Sequence, residues 1–410
     1  MRRSRTSSVG WSRGGSGALI ATWLVAVVGV LPSATPARWN VAGLLHMIQV
    51  ILRADPAVYS ERMAHPGRVR PDACPGVFAT HDAADGALAR IRLPGGRVSA
   101  DQADVLASCA EELGDGSVHL TSRGNIQLRG LSRDTGELAA RLTSAGLLPA
   151  PAHERVRNYL ASPLSGLTGG LVDVRDTVFE LDRAVCARPE LAALPGRFLF
   201  ALDDGRGDVS GEDADVCWRA LDSATGAVLL AGRDTGERVP FAGAVDALVR
   251  KALWFLEVRG SAWRMRELDL PAGERLPSSP GVPIGPFTRD DGRTGVVGAP
   301  VLGQLAAADL RALGEVVVTP WRSVVVPLGL DAPGLVTDPD APGLGISACI
   351  GRPGCAKSRA DVRADALAMM CRVPAGVRMH FSGCERRCGR PHEPHVDVLA
   401  GTEGYQKGTA

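Results

Sequence analysis

Lysine is nearly missing from this sequence: Lys251, Lys357 and Lys407 are the whole supply. Arginine carries the remaining positive charge, a bias that coding rich in G and C mostly explains. Arginine stays protonated, so the chain holds few basic side chains able to give up a proton. Neither sign of charge is in excess. Lys plus Arg number 46 and Asp plus Glu 45, so no global field argues for nucleic acid. With 45% apolar and 22% charged residues, the composition excludes a disordered chain. Long hydrophobic runs are also lacking. The stretch from Ala18 to Leu31, about 14 residues, is short for a membrane span. Nine cysteines, an odd number, argue against a complete disulfide framework. Cys74, Cys109, Cys186, Cys217 and Cys371 are scattered and read as small buried hydrophobes.

What is present begins with a repeat. Ala87–Leu93, a Pro-Gly-Gly turn, a helix near Ala100–Leu113 and the run Val118–Leu128 make one unit. Gly295–Val301, a helix near Ala306–Leu313 and the run Val316–Val326 make another. Val118, Leu120, Ile126 and Leu128 match Val316, Val318, Val324 and Val326 without a gap, and Thr121 falls on Thr319. Period-two alternation broken by a turn predicts half-buried strands. Ala103, Leu106, Ala107, Ala110 and Leu113 give the first helix an apolar stripe to lay on them. The expected fold is α+β: two duplicated half-domains forming a central sheet, with two α/β lobes. The expected boundaries are 1–62 for an N-terminal extension, 63–150 and 281–335 for the half-domains, 151–280 for the first lobe and 336–410 for the last.

Four cysteines lie in that last lobe, as Cys349-x5-Cys355 and Cys384-x3-Cys388. Two close thiolate pairs that converge bind soft metals, either zinc or an iron–sulfur cluster. Structural zinc usually takes shorter spacers. Gly351, Gly354, Gly383 and Gly389 let backbone wrap closely around a cluster.

Here a resemblance becomes specific. Ala348-Cys-Ile-Gly-Arg-Pro-Gly-Cys355 and Ser382-Gly-Cys-Glu-Arg-Arg-Cys-Gly-Arg390 resemble the two cluster loops of the sulfite and nitrite reductase superfamily, whose enzymes carry sirohaem and a 4Fe-4S cluster. Arg90-Ile-Arg-Leu-Pro-Gly-Gly96, Thr121-Ser-Arg123 and Arg157-Asn158 are similar to further motifs of that superfamily, in the same order. The resemblance implies ferredoxin-like half-domains and a 4Fe-4S cluster on Cys349, Cys355, Cys384 and Cys388. The reductases surround their substrate with two arginines and a Lys-x-Lys pair. Arg90 and Arg157 stand in the arginine places, but Arg197 and Leu199 stand where the lysines are expected. Leucine donates no proton.

Ala73-Cys-Pro-Gly76, Leu120–Arg129, Gly260-Ser-Ala-Trp-Arg264 and Thr319-Pro-Trp-Arg322 resemble instead the superfamily's oxygen-dependent branch, the precorrin-3B synthases of aerobic cobalamin biosynthesis. That resemblance implies an NADH-dependent monooxygenase hydroxylating precorrin-3A at C20, with an acetate closing a γ-lactone. It also implies a mononuclear non-haem iron, oxygen as co-substrate and an electron-donor protein as a possible partner. A sirohaem reductase is the alternative. Either tetrapyrrole is flat and ringed with carboxylates, which suits arginine. Arg90, Arg123, Asn125, Gln127, Arg157, Arg197 and Arg322 are the expected tetrapyrrole contacts, with Arg92 a further candidate. Trp321 reads equally as a flat face for the macrocycle or as core. His392 and His395 are candidate iron ligands, ahead of His119 and His380; no catalytic residue is assigned.

The extension fits this picture poorly. Arg2, Arg3 and Arg5, the apolar run and Pro32–Ala37 have the layout of a secretory signal. A mis-assigned start is the competing reading, since Met63 immediately precedes the enzyme-like sequence and an oxygen-sensitive cluster suits the cytoplasm. The expected location is cytoplasmic, with export as the alternative and no membrane span in the enzyme body.

Overall fold

The computed structural model describes residues 74–374, 376–391 and 393–410. The extension 1–62 and His392 therefore lie outside the described residues.

Alternation builds the first sheet. In β2 (Gly86–Ile91) the buried side chains Ala87, Ala89 and Ile91 face one way, as do Val118 and Leu120 of β4 (Ser117–Leu120) and Ile126 and Leu128 of β5 (Ile126–Leu131). Helix α1 (Ala100–Leu113) covers them with Ala103, Leu106, Ala107 and Ala110, and α2 (Gly136–Ser144) adds Leu138 and Leu142. A capping box between Ser99 and Gln102 starts α1. The second unit repeats the plan with β12 (Thr294–Gly298), β14 (Val316–Val318), β15 (Val324–Val326) and a shorter helix, α5 (Ala307–Leu313).

The two units are interlocked by exchanged strands. β3 (Arg97–Val98) leaves the first unit to pair with β14, and β13 (Gln304–Ala306) leaves the second to pair with β4. With β1 (His81–Ala83) and β11 (Gly285–Thr288) at the edges, the sheet orders are β1-β2-β5-β4-β13 and β11-β12-β15-β14-β3. The duplicated centre is thus two five-stranded sheets, each completed by the other half, around one continuous core.

The pairing register is the same in both units. His119 lies opposite Gln127 and Leu120 opposite Ile126; Val317 lies opposite Val325 and Val318 opposite Val324. The joining turns match as well. Thr121 Oγ1 accepts from the Asn125 N–H at 3.2 Å, and Thr319 Oγ1 accepts from the Ser323 N–H at 3.2 Å. The left-handed position is Gly124 (φ 61) in one turn and Arg322 (φ 58) in the other. A side chain there costs about 1–2 kcal/mol relative to glycine, so Arg322 is held against a backbone preference.

The first lobe is a sheet in the order β10-β9-β8-β7-β6, built from β6 (Tyr159–Ala161), β7 (Phe200–Asp203), β8 (Val216–Ala220), β9 (Thr225–Leu230) and β10 (Arg233–Pro240). Helices α3 (Arg175–Cys186) and α4 (Ala244–Val258) bury an aromatic-rich core against it, including Phe198, Phe200, Trp218 and Phe255. In the last lobe β16 (Ile346–Ala348), β17 (Met379–Ser382) and β18 (Val396–Ala400) run parallel, and β19 (Tyr405–Thr409) is antiparallel to β18. Helix α6 (Val362–Met369) packs Val362 and Ala366 on the face formed by Ile346, Met379, Phe381 and Val398. No described helix is long and apolar enough to cross a membrane.

Candidate functional site

Side chains on alternate residues of a strand point to opposite faces, so the face of the first sheet away from α1 carries the residues between the core positions. They form a row across four strands. Arg90 lies opposite Gln127, Gln127 opposite His119, and His119 opposite Gln304 of the exchanged strand. Arg90 Nη2 donates to Gln127 Oε1 at 3.4 Å, and His119 Nε2 lies 2.8 Å from Asp115 Oδ2. The equivalent row in the second sheet is Val297, Val325 and Val317, ending opposite Arg97. Leu164 and Leu167 cover those valines. One copy of the duplicated surface is polar and open, the other apolar and sealed.

The polar row faces a cleft of ≈ 800 Å³. The second half walls it with 299–303, Trp321 and Arg322, and the last lobe with Cys349, Cys355 and Cys388. Among the described residues, six cationic side chains line it, Arg90, Arg129, Arg322, Lys357, Arg363 and Arg386, against a single carboxylate, Asp82. Two of these arginines fasten the lobes. Arg129 pairs with Asp85 at 2.9 Å and donates to the Gly354 carbonyl at 3.1 Å, while Arg363 reaches Gln304 Oε1 at 2.8 Å.

Other arginines remain short of partners. Arg90 Nε and Arg92 Nε and Nη1 are buried with no hydrogen bond. Burial, then the neighbouring Arg90 charge, pushes Arg92 down to about 9; burial, then Arg264, pushes Arg123 down to about 10. Burial lowers Arg90 as well, the Cys74 sulfur opposing and Arg197 adding to the effect. Crowded cations in a low dielectric are stabilised by a bound anion. The site therefore suits a ligand bearing several negative charges.

The expected contacts divide. Arg90, Gln127 and Arg322 line the cleft together, as does Trp321, whose indole N–H donates to Glu212 Oε1 at 2.8 Å. Arg123 and Arg197 extend the same positive field outside the cleft wall. Arg123 reaches the Gly196 carbonyl at 3.5 Å, and Arg197 lies over the Trp263 ring at 5.5 Å. Arg157 and Asn125 do not line the cleft. Arg157 points into the first lobe, where Asp182 holds it at 2.7 and 2.8 Å and the Leu147 carbonyl at 3.0 Å. Asn125 is wholly buried, accepting from the Leu93 N–H at 2.9 Å and facing Asn158 at 3.4 Å. Sequence reasoning missed Arg129, Lys357, Arg363 and Arg386. For Arg129 a signal existed: it lies two residues beyond Gln127 on one strand, hence on the same face.

The cysteine loops converge for a topological reason. β16 and β17 are parallel neighbours, so Cys349 after the first and Cys384 and Cys388 after the second leave the sheet at the same end. The Gly383 N–H donates to Cys349 Sγ at 3.2 Å, and a Cβ at Gly383 would meet Ser358 Oγ at 1.8 Å. Burial raises the Cys388 thiol; Arg386 opposes this and the sulfurs of Cys349, Cys384 and Cys355 add to it. Among the described residues no three of these sulfurs lie within 4.8 Å of one another. Four thiolates around one zinc ion would stand about 3.8 Å apart. The amide aimed at a sulfur is a contact that the thiolate ligands of an iron–sulfur cluster accept. His395 does not line the cleft; it is buried with Nδ1 2.9 Å from the Glu393 carbonyl.

Residues 81–145 match the nitrite/sulfite reductase ferredoxin-like half domain. A ferredoxin–nitrite reductase of Synechococcus elongatus is 27% identical over 387 residues, spanning 76% of each chain. A precorrin-3B synthase of Sinorhizobium sp is 26% identical over 385 residues, spanning 82% of each chain. Among solved structures, the Mycobacterium tuberculosis NirA protein has the same fold, with a TM-score of 0.62 over 79% of this chain and 73% of that one at 19% identity.

Proposed function

We propose that this chain, which is similar to members of the sulfite and nitrite reductase superfamily, is an oxygen-dependent hydroxylase of the precorrin-3B synthase kind. The cleft binds precorrin-3A through its carboxylates, with Arg90, Gln127 and Arg322 as direct contacts and Lys357 and Arg386 completing the positive rim. Cys349, Cys355, Cys384 and Cys388 hold a 4Fe-4S cluster at the cleft wall, which when bound supplies single electrons to the site. In the net reaction NADH gives two electrons, in this proposal through a donor protein. One oxygen atom of O2 enters the substrate at C20 and the other leaves as water. The acetate side chain then closes the γ-lactone. A reaction that needs reductant and an oxygen-sensitive cluster suits the cytoplasm.

One observation carries this choice over a reductase. Leu199, at the place of a reductase lysine, is sealed in a core with Leu160, Ala201 and Val209, and so offers neither a charge nor a proton. Arg157, at a second reductase position, is committed to Asp182. A sirohaem reductase remains the competing reading, since the nitrite reductase relatives are as similar as the precorrin-3B synthase.

The deciding assay uses anaerobically prepared, cluster-loaded protein given precorrin-3A, NADH with a reductase system, and labelled oxygen. The expected product is heavier by one labelled oxygen atom. Methyl-viologen-driven sulfite or nitrite turnover, with sirohaem extracted from the protein and precorrin-3A untouched, would overturn the proposal.

A further inference from the structure

Five described residues other than glycine adopt a left-handed backbone, and two of them flank one hydrogen bond. Trp321 immediately precedes Arg322 (φ 58), and Glu212 immediately precedes Asp213 (φ 55). The Trp321 indole N–H donates to Glu212 Oε1 at 2.8 Å, joining residues 109 apart in the chain. Aspartate meets the left-handed conformation more readily than arginine does, but each is a local cost that the surroundings must hold in place.

Glu212 stands on the loop between β7 and β8, and that loop is braced from behind. The Glu212 N–H donates to the Val209 carbonyl at 3.1 Å, closing a turn. The Asp213 carbonyl accepts from Arg264 Nη2, and its carboxylate pairs with Arg266. Asp215 is buried, accepts from Arg264 Nε at 2.8 Å and takes the amides of Leu199 and Met265 at 2.8 and 2.6 Å. The first lobe thus fixes where the Glu212 carboxylate stands.

The indole is closed from a second side. A Cβ at Gly281 would lie 2.3 Å from Trp321 Cδ2, 2.5 Å from Cε2 and 2.8 Å from Cε3. Cδ2 and Cε2 are the fusion atoms, which the rest of the indole surrounds within its plane. Only an approach over the ring face reaches them first, so the Gly281 backbone covers one face. Trp321 also packs against the core of Leu160, Leu199, Ala201 and Val209. What these contacts leave uncovered is the part that lines the cleft. The turn itself does not require a tryptophan there, because its counterpart in the duplicated turn is Arg123.

We propose that Trp321 is an apolar contact for the macrocycle of the bound tetrapyrrole, with Glu212 and Gly281 as positioning residues that hold its indole in the cleft wall. The inference rests on the reading of the cleft as a tetrapyrrole site, and it adds what the arginines do not supply. Arginines recognise the carboxylates at the ligand's rim, whereas an indole recognises its flat apolar body. A ring already held in place loses little freedom when the ligand arrives, which is how the two positioning residues raise affinity.

Equilibrium titration of anaerobic, cluster-loaded protein with sirohaem and with precorrin-3A tests this. Trp321→Leu should lower affinity for either ligand about 10-fold. Glu212→Ala should lower it about 5-fold, and Glu212→Gln, whose amide oxygen still accepts the indole N–H, should recover that loss. Gly281→Ala should act like Glu212→Ala, since its methyl group displaces the ring. The deciding comparison is a double variant. Trp321→Phe has no N–H to hold, so in that background Glu212→Ala should cost nothing further. Equal losses from Glu212→Ala in both backgrounds, or wild-type affinity in Trp321→Leu, would sink the proposal. Ultraviolet resonance Raman difference spectra against Trp321→Phe read the same hydrogen bond without ligand. The indole N–H marker should shift in Glu212→Ala and stay in Glu212→Gln; an unshifted marker in Glu212→Ala rejects the positioning role. A failed hydroxylation assay leaves the sirohaem titrations standing, whereas protein that binds neither tetrapyrrole refutes both readings.

Discussion

Arg322 occupies a backbone conformation that its counterpart in the duplicated turn meets with glycine, and it faces the cleft from there. The proposed tetrapyrrole contact would account for a residue kept against its local preference. Arg322→Gly should therefore be more stable than Arg322→Ala by about 1 kcal/mol, the reverse of the usual order within regular structure. Urea unfolding of the two variants checks this, and both should bind tetrapyrrole more weakly than the wild type. In the proposed complex Arg90 should be the stronger ligand contact, since its Nε has no partner while Arg123 already donates to a carbonyl. Arg90→Ala should lose about 1.5–3 kcal/mol of tetrapyrrole affinity, roughly 10- to 150-fold, and Arg123→Ala less. Equilibrium titration with precorrin-3A or sirohaem measures both.

At the scale of elements, the exchanged strands hold the molecule's centre together, and their entry turns are tight. Gly96 precedes β3 with φ 73, and a Cβ there would sit 1.9 Å from the Val318 carbonyl oxygen of the other half. Backbone in a shared sheet cannot yield, so Gly96→Ala should destabilise by about 3 kcal/mol or more. Gly116, with φ 79 but nothing within 4 Å, should cost only about 1 kcal/mol when changed to alanine. Comparable losses at the two glycines would argue against the exchange. The cysteine loops make a second element-scale test. Cys384→Ser should abolish the cluster, read as lost iron and sulfide and a vanished EPR signal. The sheet of the two duplicated units should stay folded, because its core contains no residue of the last lobe.

Across the whole molecule, the pH dependence of stability should carry the mark of the first lobe. Asp203 and Asp204 are buried beside Asp208 but are held by backbone amides and Arg206. Asp208 Oδ2 has no hydrogen bond. Burial, then the Asp203 charge, pushes Asp208 up to about 7. Unfolded, it would ionise near the ordinary value of about 4. Between those pH values the folded state binds more protons, so this group lowers stability as pH rises from about 4 to 7. Asp208→Asn should remove that loss, leaving the variant more stable than wild type at pH 8 by on the order of 2 kcal/mol, with no gain at pH 4. Thermal unfolding at the two pH values reads it.

The sequence by itself determined the duplication, the strands of both units and the pairing of the two cysteine loops. These rest on period-two alternation, on a shared Thr turn and on short spacings, all of which are local. It named Arg90 and Gln127 as candidate contacts, but only the pairing of β2 with β5 set them side by side on one face. Only the tertiary structure decided that the units exchange strands, since pairing β3 with β14 joins residues far apart in the chain. It likewise decided that Arg157 turns inward to Asp182 while Arg129, Lys357, Arg363 and Arg386 gather at the cleft. An arginine looks the same in sequence whether a carboxylate waits beside it or not. Trp321 and Glu212 came together in the same way, through a contact between residues 109 apart in the chain that no local pattern reveals.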